Sequence, residues 1–293
     1  MTNQIVVGID GSKNAADALR WAAAVADRRG WSVTALMAWD TLEQHHPDRE
    51  RRCVTGYGQP DAEEALACYV VDALGADRGE LVTKQAVVGP AAPALIDASA
   101  TASLLVLGPR GMGAGLTAVL GSVSLYCTQW ARCPVAVIHD LEHDEQLTPR
   151  RIVVGVDGSG PSRRALDWAV EEARTTGAEV DVVHAWHPPY FGAQPYSVTV
   201  AVTDDMERAA RAVLDDVIAG VDVRGLSRPL EPILVQGGAA GWLLESAKGA
   251  DLVVVGSRGR GGFAGLLLGS VSQQLMHHAD CPVVVVPSEG DDE

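Results

Sequence analysis

A chain of 293 residues, 47% hydrophobic and 21% charged, has the composition of a folded globular protein and the length of two ordinary domains. Its formal charge of −15 argues against a phosphate backbone as a partner, so nucleic acid is not expected. No apolar run reaches the ~18 residues of a membrane span, the first residues lack a secretory signal, and five scattered cysteines without a C-x2-C pair argue against a disulfide framework or a structural zinc site; a cytoplasmic protein with no membrane partner is the expectation.

Taken in order, the chain reads as one unit written twice. Residues 5–7 form a short apolar strand of the kind buried on both faces of a parallel sheet, and it ends in Gly8-Ile9-Asp10-Gly11-Ser12. The same run returns at residues 152–159, and Trp21 and Trp39 return as Trp168 and Trp186, each 147 positions on. Gly89, Gly108, Gly121 and Pro134 return as Gly237, Gly256, Gly269 and Pro282, each 148 on, so one net residue was inserted between Trp186 and Gly237. A period this long is a duplicated domain and not a solenoid repeat.

In each half a helix follows the first strand. It starts near Ser12 in the first copy; in the second it has Pro161 in its first turn and Ala165, Leu166, Ala169, Val170 and Ala173 at helical spacing. Gly30 and Gly177 stand where a left-handed C-cap is needed. Second strands over 33–39 and 180–186 lead into two divergent stretches, 40–60 and 187–203, longer than ordinary connections. Then come helices over 61–74 and 204–219, third strands ending near Val88 and Gln236, short helices over 91–98 and 239–247, and fourth strands over 104–107 and 252–255. Each half closes with a helix from Ser122 or Ser270 and a last strand opened by Pro134 or Pro282, where a missing N–H costs no ladder bond. The alternation predicts an α/β fold of two tandem, doubly wound, five-stranded parallel-sheet domains, over 1–140 and 151–288, with a linker at 141–150 and an acidic tail at 289–293.

The chemistry concentrates after the fourth strands. Gly108 and Gly111 precede Gly121-Ser122 with the spacing that Gly256 and Gly259 keep before Gly269-Ser270. Spaced glycines let backbone N–H groups approach an anion, and a helix N-terminus favours negative charge there. Ser122, Ser124, Ser270 and Ser272 lie on that first turn, where capping and phosphate binding can coexist. Arg110 and Arg258 stand inside the first G-x2-G, where a guanidinium could reach phosphate oxygens or remain a solvated surface group. Asp10 and Asp157, at the strand tips, suit either a helix cap shared with Ser12 and Ser159 or hydrogen bonds to ligand hydroxyls; spacing alone leaves both open.

The G-x2-G-x9-G-[ST] pattern, with a strand ending in Gly-x-Asp in each half, resembles the ATP-binding branch of the universal stress protein family, over nearly the whole chain as two tandem domains. The resemblance implies ATP as ligand, with Mg²⁺ carried on its phosphates, a homodimer, and a regulatory role in stress or growth with little or no turnover. It implies ligand contact for Gly8, Ile9, Asp10, Ala38, Gly108, Arg110, Gly111, Gly121, Ser122, Val123 and Ser124, and in the second half for Gly155, Val156, Asp157, Ala185, Gly256, Arg258, Gly259, Gly269, Ser270, Val271 and Ser272. Ala38 and Ala185 stand where the family places a small apolar wall against adenine. The loops differ: Pro109 replaces Ser257, removing a backbone donor, and Met112 replaces Arg260, removing a charge, so the second site is expected to hold a triphosphate more firmly.

Other signals are weaker. There is no G-x4-G-K-[ST], and the first strand lacks the third glycine of a dinucleotide fingerprint. The pairs His45-His46 and His277-His278 lack neighbouring ligands at metal spacing, so no metal site is expected in the protein itself, and the repeated tryptophans read as packing positions. Neither loop offers a His, Glu or Lys in a repeated position, so no catalytic residue is assigned. A slow ATP hydrolase or nucleotidyl transferase, and an interaction module without nucleotide, are the alternatives.

Overall fold

The computed structural model describes residues 3–39, 58–111, 120–139, 141, 147–187, 196–260 and 267–288, with backbone only at 196–202. The chain divides into two compact units, Met1–Thr148 and Pro149–Glu293.

In the first unit the strands are β1 (Gln4–Gly8), β2 (Ser32–Trp39), β3 (Thr83–Val88), β4 (Leu104–Leu107) and β5 (Val135–Val137), and the helices are α1 (Lys13–Arg29), α2 (Gln59–Leu74), α3 (Ala76–Glu80), α4 (Ala91–Ser99) and α5 (Ser122–Trp130). The strands run parallel in the order β3-β2-β1-β4-β5. The chain winds outward from β1 to β3, then crosses back to β4. Right-handed crossovers therefore place α1 and α2 on one face and α4 and α5 on the other, and the winding reverses between β1 and β4.

The second unit repeats this with β6 (Arg151–Gly155), β7 (Glu179–Trp186), β8 (Glu231–Gln236), β9 (Leu252–Gly256) and β10 (Val283–Val286), and helices α6 (Gly160–Thr176), α7 (Tyr196–Ala219), α8 (Ala239–Ala247) and α9 (Ser270–His278). Its strand order is β8-β7-β6-β9-β10, again parallel. Pro232 sits in the edge strand β8, where a missing donor is tolerated.

The central strands are buried on both faces, as continuous apolar sequence requires: Ile5 and Val7 in β1, and Leu104–Leu107 throughout, are almost fully shielded. On α1 the buried residues Ala15, Ala18, Leu19, Ala22, Val25 and Ala26 repeat every three or four positions, and α6 buries Ala165, Leu166, Ala169, Val170 and Ala173 likewise. Buried among the α1 set is Asp17, whose carboxylate is paired with Lys13 at 2.8 Å and with Arg20. Gly30 and Gly177 close these helices at φ 64° and 73°, which only glycine adopts without strain. Trp21, Trp39 and Trp186 are buried and Trp168 is half-buried, in keeping with packing roles.

Two elements depart from expectation. Helix α7 starts at Tyr196, inside the stretch anticipated as loop to residue 203, because residues 197–203 carry no glycine or proline to stop a helix already favoured downstream. Helix α3 is a single short turn after Gly75 (φ 81°), too brief for a periodic pattern to announce. The stretch 40–57, residues 112–119 with Met112, and His45-His46 lie outside the described residues.

Burial predicts the mutational response. Leu105→Ala, in the interior of the first sheet, should cost about 2–5 kcal/mol, whereas Leu81→Ala, at a residue 79% exposed, should stay within about 0.5 kcal/mol. Urea denaturation of the two variants measures the contrast.

Candidate functional site

The site begins where β1 runs out. Ile9 N–H still bonds the Leu36 carbonyl (2.9 Å), so Asp10 stands one residue beyond the last rung. Asp10 Oδ1 accepts from Ser12 N–H at 3.0 Å, while Ser12 Oγ accepts from Ala15 N–H at 3.2 Å as the N-cap of α1. The cap is therefore supplied by the serine, and the aspartate shapes the turn that leads into it. Tyr69 Oη donates to the Ser12 carbonyl at 2.6 Å, and burial, reinforced by the nearby Asp10 and Asp17 charges, holds its phenol protonated far above the ordinary range.

The glycine loop is fitted against this tip. A Cβ at Gly108 would fall 2.8 Å from Asn14 Cβ, so absence of a side chain lets β4 meet the first turn of α1. Asn14 then donates through Nδ2 to the Arg110 carbonyl at 3.1 Å. A Cβ at Gly111 would collide with Asp10 Oδ2, so the loop closes directly on the carboxylate. From the other side, Gly121 N–H bonds the Pro109 carbonyl and Ser124 Oγ donates to the Gly108 carbonyl, each at 2.7 Å. Ser124 is buried and its hydroxyl proton belongs to this latch; Ser122, on the same turn, is exposed.

These contacts bound a cavity of about 680 Å³ at the carboxyl ends of β1 and β4. Its wall includes Gly8, Ile9, Asp10, Ala38, Gly108, Arg110, Gly111, Gly121, Ser122, Val123 and Ser124, which is every residue assigned to the first half. It also includes Ala15, Leu36, Ala91, Leu95, Leu107 and Leu120, which the sequence reading omitted. Those six are ordinary core aliphatics in sequence; only their position beside the switch point distinguishes them.

The second unit repeats the joint. Asp157 Oδ1 accepts from Ser159 N–H (3.0 Å) and Ser159 Oγ (2.6 Å), and Oδ2 accepts from Arg260 N–H (2.7 Å). Burial alone would raise the Asp157 pKa, but the hydrogen bonds from Ser159, Arg260 and Ser162 outweigh it and hold the group below the ordinary carboxylate value. Gly259 packs on Asp157 as Gly111 does on Asp10, Gly256 packs on Pro161 and Ser162, and Ser272 Oγ donates to the Gly256 carbonyl at 2.7 Å. Gly269 N–H bonds the Ser257 carbonyl at 2.7 Å, with Ser270 exposed and Val271 half-buried on the turn that follows. Gly155 ends β6 against Leu243 and Val255, Val156 N–H bonds the Val183 carbonyl at 2.9 Å, and Ala185 is half-buried near the end of β7.

Two expectations about the second loop change. Ser257 N–H bonds the Val286 carbonyl at 2.7 Å, so the donor missing at Pro109 is one that ties the loop to β10 and not one offered to a ligand. Arg258 Nη2 bonds Ser288 Oγ, just past β10, while Arg260 reaches across to the Gly158 carbonyl at 3.3 Å. Arg260, whose charge the sequence counts toward the second site, thus crosses from the glycine loop to the turn that follows Asp157.

The family model described as "Universal stress protein family" matches residues 1–139 and again 148–287. The chain belongs to the universal stress protein family. Universal stress protein Rv2005c of Mycobacterium tuberculosis is 35% identical over 288 residues, covering 96% of each chain. A universal stress protein of Mycolicibacterium smegmatis is 35% identical over 289 residues, with the same coverage of both. Among solved structures, a universal stress protein from Archaeoglobus fulgidus superposes with a TM-score of 0.62 at 19% identity, over 99% of this chain and 100% of that one, which supports the fold. Universal stress protein domains in tandem are thus the architecture of this chain, and the glycine-to-aspartate joint recurs in each.

Two outcomes follow from the joint. Gly111→Ala and Gly259→Ala should each push the loop off its aspartate and lower stability by about 1–3 kcal/mol, measurable as a fall in urea midpoint. Because the Asp157 pKa is depressed from 3.8, its stabilising effect is full above that value and is lost as pH falls through the lower folded value. The thermal midpoints of wild type and Asp157→Asn should therefore differ at pH 7 and converge in acid.

Proposed function

We propose that each unit binds an adenine nucleotide in this crevice, ATP being the preferred ligand, and that the chain is a nucleotide-dependent regulator with little or no turnover. The observation that carries the reading is the cavity itself. Its volume of about 680 Å³ suits a nucleotide-sized ligand, and it lies outside the carboxyl ends of the strands at the point where the winding reverses.

Its walls match the three parts of a nucleotide. The half-buried Ala38 and the aliphatic Leu36 give a flat, low wall for a base. The Asp10 carboxylate, an acceptor through both oxygens and part of the cavity wall, can accept from ribose hydroxyls. At the far end lies the first turn of α5, where Leu125 N–H bonds the Gly121 carbonyl, and the N–H groups ahead of it are those a helix does not pair within itself. Such a turn stabilises phosphate charge, with Arg110 beside it. Mg²⁺ would be held by the phosphates and would lower the charge presented to a chain of −15. Among the described lining residues Asp10 and Arg110 alone are ionisable, and neither is a general base placed at the phosphate end.

Calorimetry with MgATP tests the assignment. Two nucleotides should bind per chain, Asp10→Ala and Asp157→Ala should each weaken one site at least tenfold, about 1.4 kcal/mol, and the double variant should lose both without unfolding. Unchanged affinity in both single variants would overturn the reading. Steady phosphate release abolished by these substitutions would replace the regulator with a hydrolase, and absence of any adenylate in mass spectra of ligand released from the purified protein would favour an interaction module. Assembly as a homodimer, proposed on the family likeness, is read from light scattering with and without MgATP.

A further inference from the structure

Helix α4 divides the sheet face it covers into two compartments. Its Ala91 and Leu95 line the crevice already described, while Pro93, Ala94 and Asp97 look onto a second cavity of about 600 Å³, over β2 and the edge strand β3. The floor of this groove includes Thr34, Leu36, Gln85 and Val87, with Leu36 and Gln85 side by side in the ladder. The nucleotide reading makes no use of it.

In the second unit the equivalent positions are filled by the protein's own side chains. Where the first unit has Ala94, the second has Trp242, whose indole Nε1–H donates to the Gln236 carbonyl at 3.0 Å. That ring lies so close over Gly237 that a Cβ there would sit 2.7 Å from Nε1. Where the first unit has Gln4, the second has Arg151, whose guanidinium bonds Asp181 at 2.7 Å and the Lys248 carbonyl at 3.3 Å. Gln4 reaches only Thr34, at 2.8 Å. The exchange of a ring for a methyl thus leaves the indole's seat open in the first groove, while the exchange of a guanidinium for an amide falls at the groove's other end, by the start of β1.

The acceptor used by Trp242 has a counterpart. Gly89 N–H points inward to the Trp39 carbonyl and Gly237 N–H to that of Trp186. Successive residues of a strand direct their polar groups to opposite sides, so the carbonyls of Val88 and Gln236 both face the open edge of their sheets. The Gln236 carbonyl meets the indole; the Val88 carbonyl borders the open groove.

We propose that the groove between α4 and β3 of the first unit binds a planar heteroaromatic small molecule bearing a ring N–H, seated where the second unit seats its indole. The ring packs on Ala94, Pro93 and Val87, its N–H donates to the Val88 carbonyl, and polar substituents face Gln85 and Asp97. A concave cavity of this volume, its lining polar and apolar in about equal measure, can seat a small molecule that offers both a flat apolar face and polar edges. The inference stands apart from the nucleotide assignment, since the two cavities lie on opposite sides of α4.

Indole is the probe, added to the full chain and followed by saturation-transfer NMR and calorimetry. Wild type should bind one indole per chain, and 1-methylindole, which cannot donate, should bind roughly fivefold more weakly, the worth of one net hydrogen bond. Ala94→Trp should abolish binding, and Trp242→Ala should raise the stoichiometry to two by opening the second groove. Circular dichroism and the MgATP titration report whether each variant is folded; should Ala94→Trp fail to fold, the Trp242→Ala stoichiometry decides. No saturation transfer to wild type, binding that survives in folded Ala94→Trp, as binding in the nucleotide crevice would, or a stoichiometry unchanged in Trp242→Ala overturns the proposal.

Discussion

The structure of each unit depends on one contact, a strand-tip carboxylate seated on a glycine that has no side chain to keep it away. Asp10 on Gly111, and Asp157 on Gly259, join the end of one central strand to the loop leaving its neighbour. The joint lies at the one place in a doubly wound sheet where adjacent connections depart in opposite directions and leave a gap. An aspartate there organises the entry to its own helix and the loop across the gap together, so the crevice is set by bonds within the protein.

The hydroxyls on the first turns of α5 and α9 show the same division of labour. Ser124 and Ser272 hold the loop carbonyls of Gly108 and Gly256 from below, while Ser122 and Ser270 remain at the surface. Buried serine needs a partner, and the first carbonyl of the glycine loop supplies it. The exposed member of the first pair, Ser122, stands in the wall of the cavity.

Much of this was legible in the sequence, for identifiable reasons. Strand ends, helix caps and close approaches each require particular residues, so Gly8, Gly30, Gly108 and Ser12 announced local geometry, and the duplication allowed each signal to be read twice. The residues assigned in the first half line one cavity because glycine spacing and strand order are both backbone properties. What escaped was the direction of long side chains. Arg258 and Arg260 differ by two positions in a loop, yet one turns to Ser288 and the other to Gly158, and no periodicity decides between them. Aliphatic walls such as Leu95 escaped because core packing and ligand contact use the same residues. The early start of α7 escaped because helix propensity near a terminus is weak beside the pull of the following amphipathic turns.

The duplication has a practical consequence. The two copies share one polypeptide, so they are always present in equal number and experience the same temperature, acidity and salt. A natural exchange such as Asn14 for Pro161, or Ala94 for Trp242, is therefore an experiment with its reference built in, and whatever distinguishes one half from the other is local chemistry.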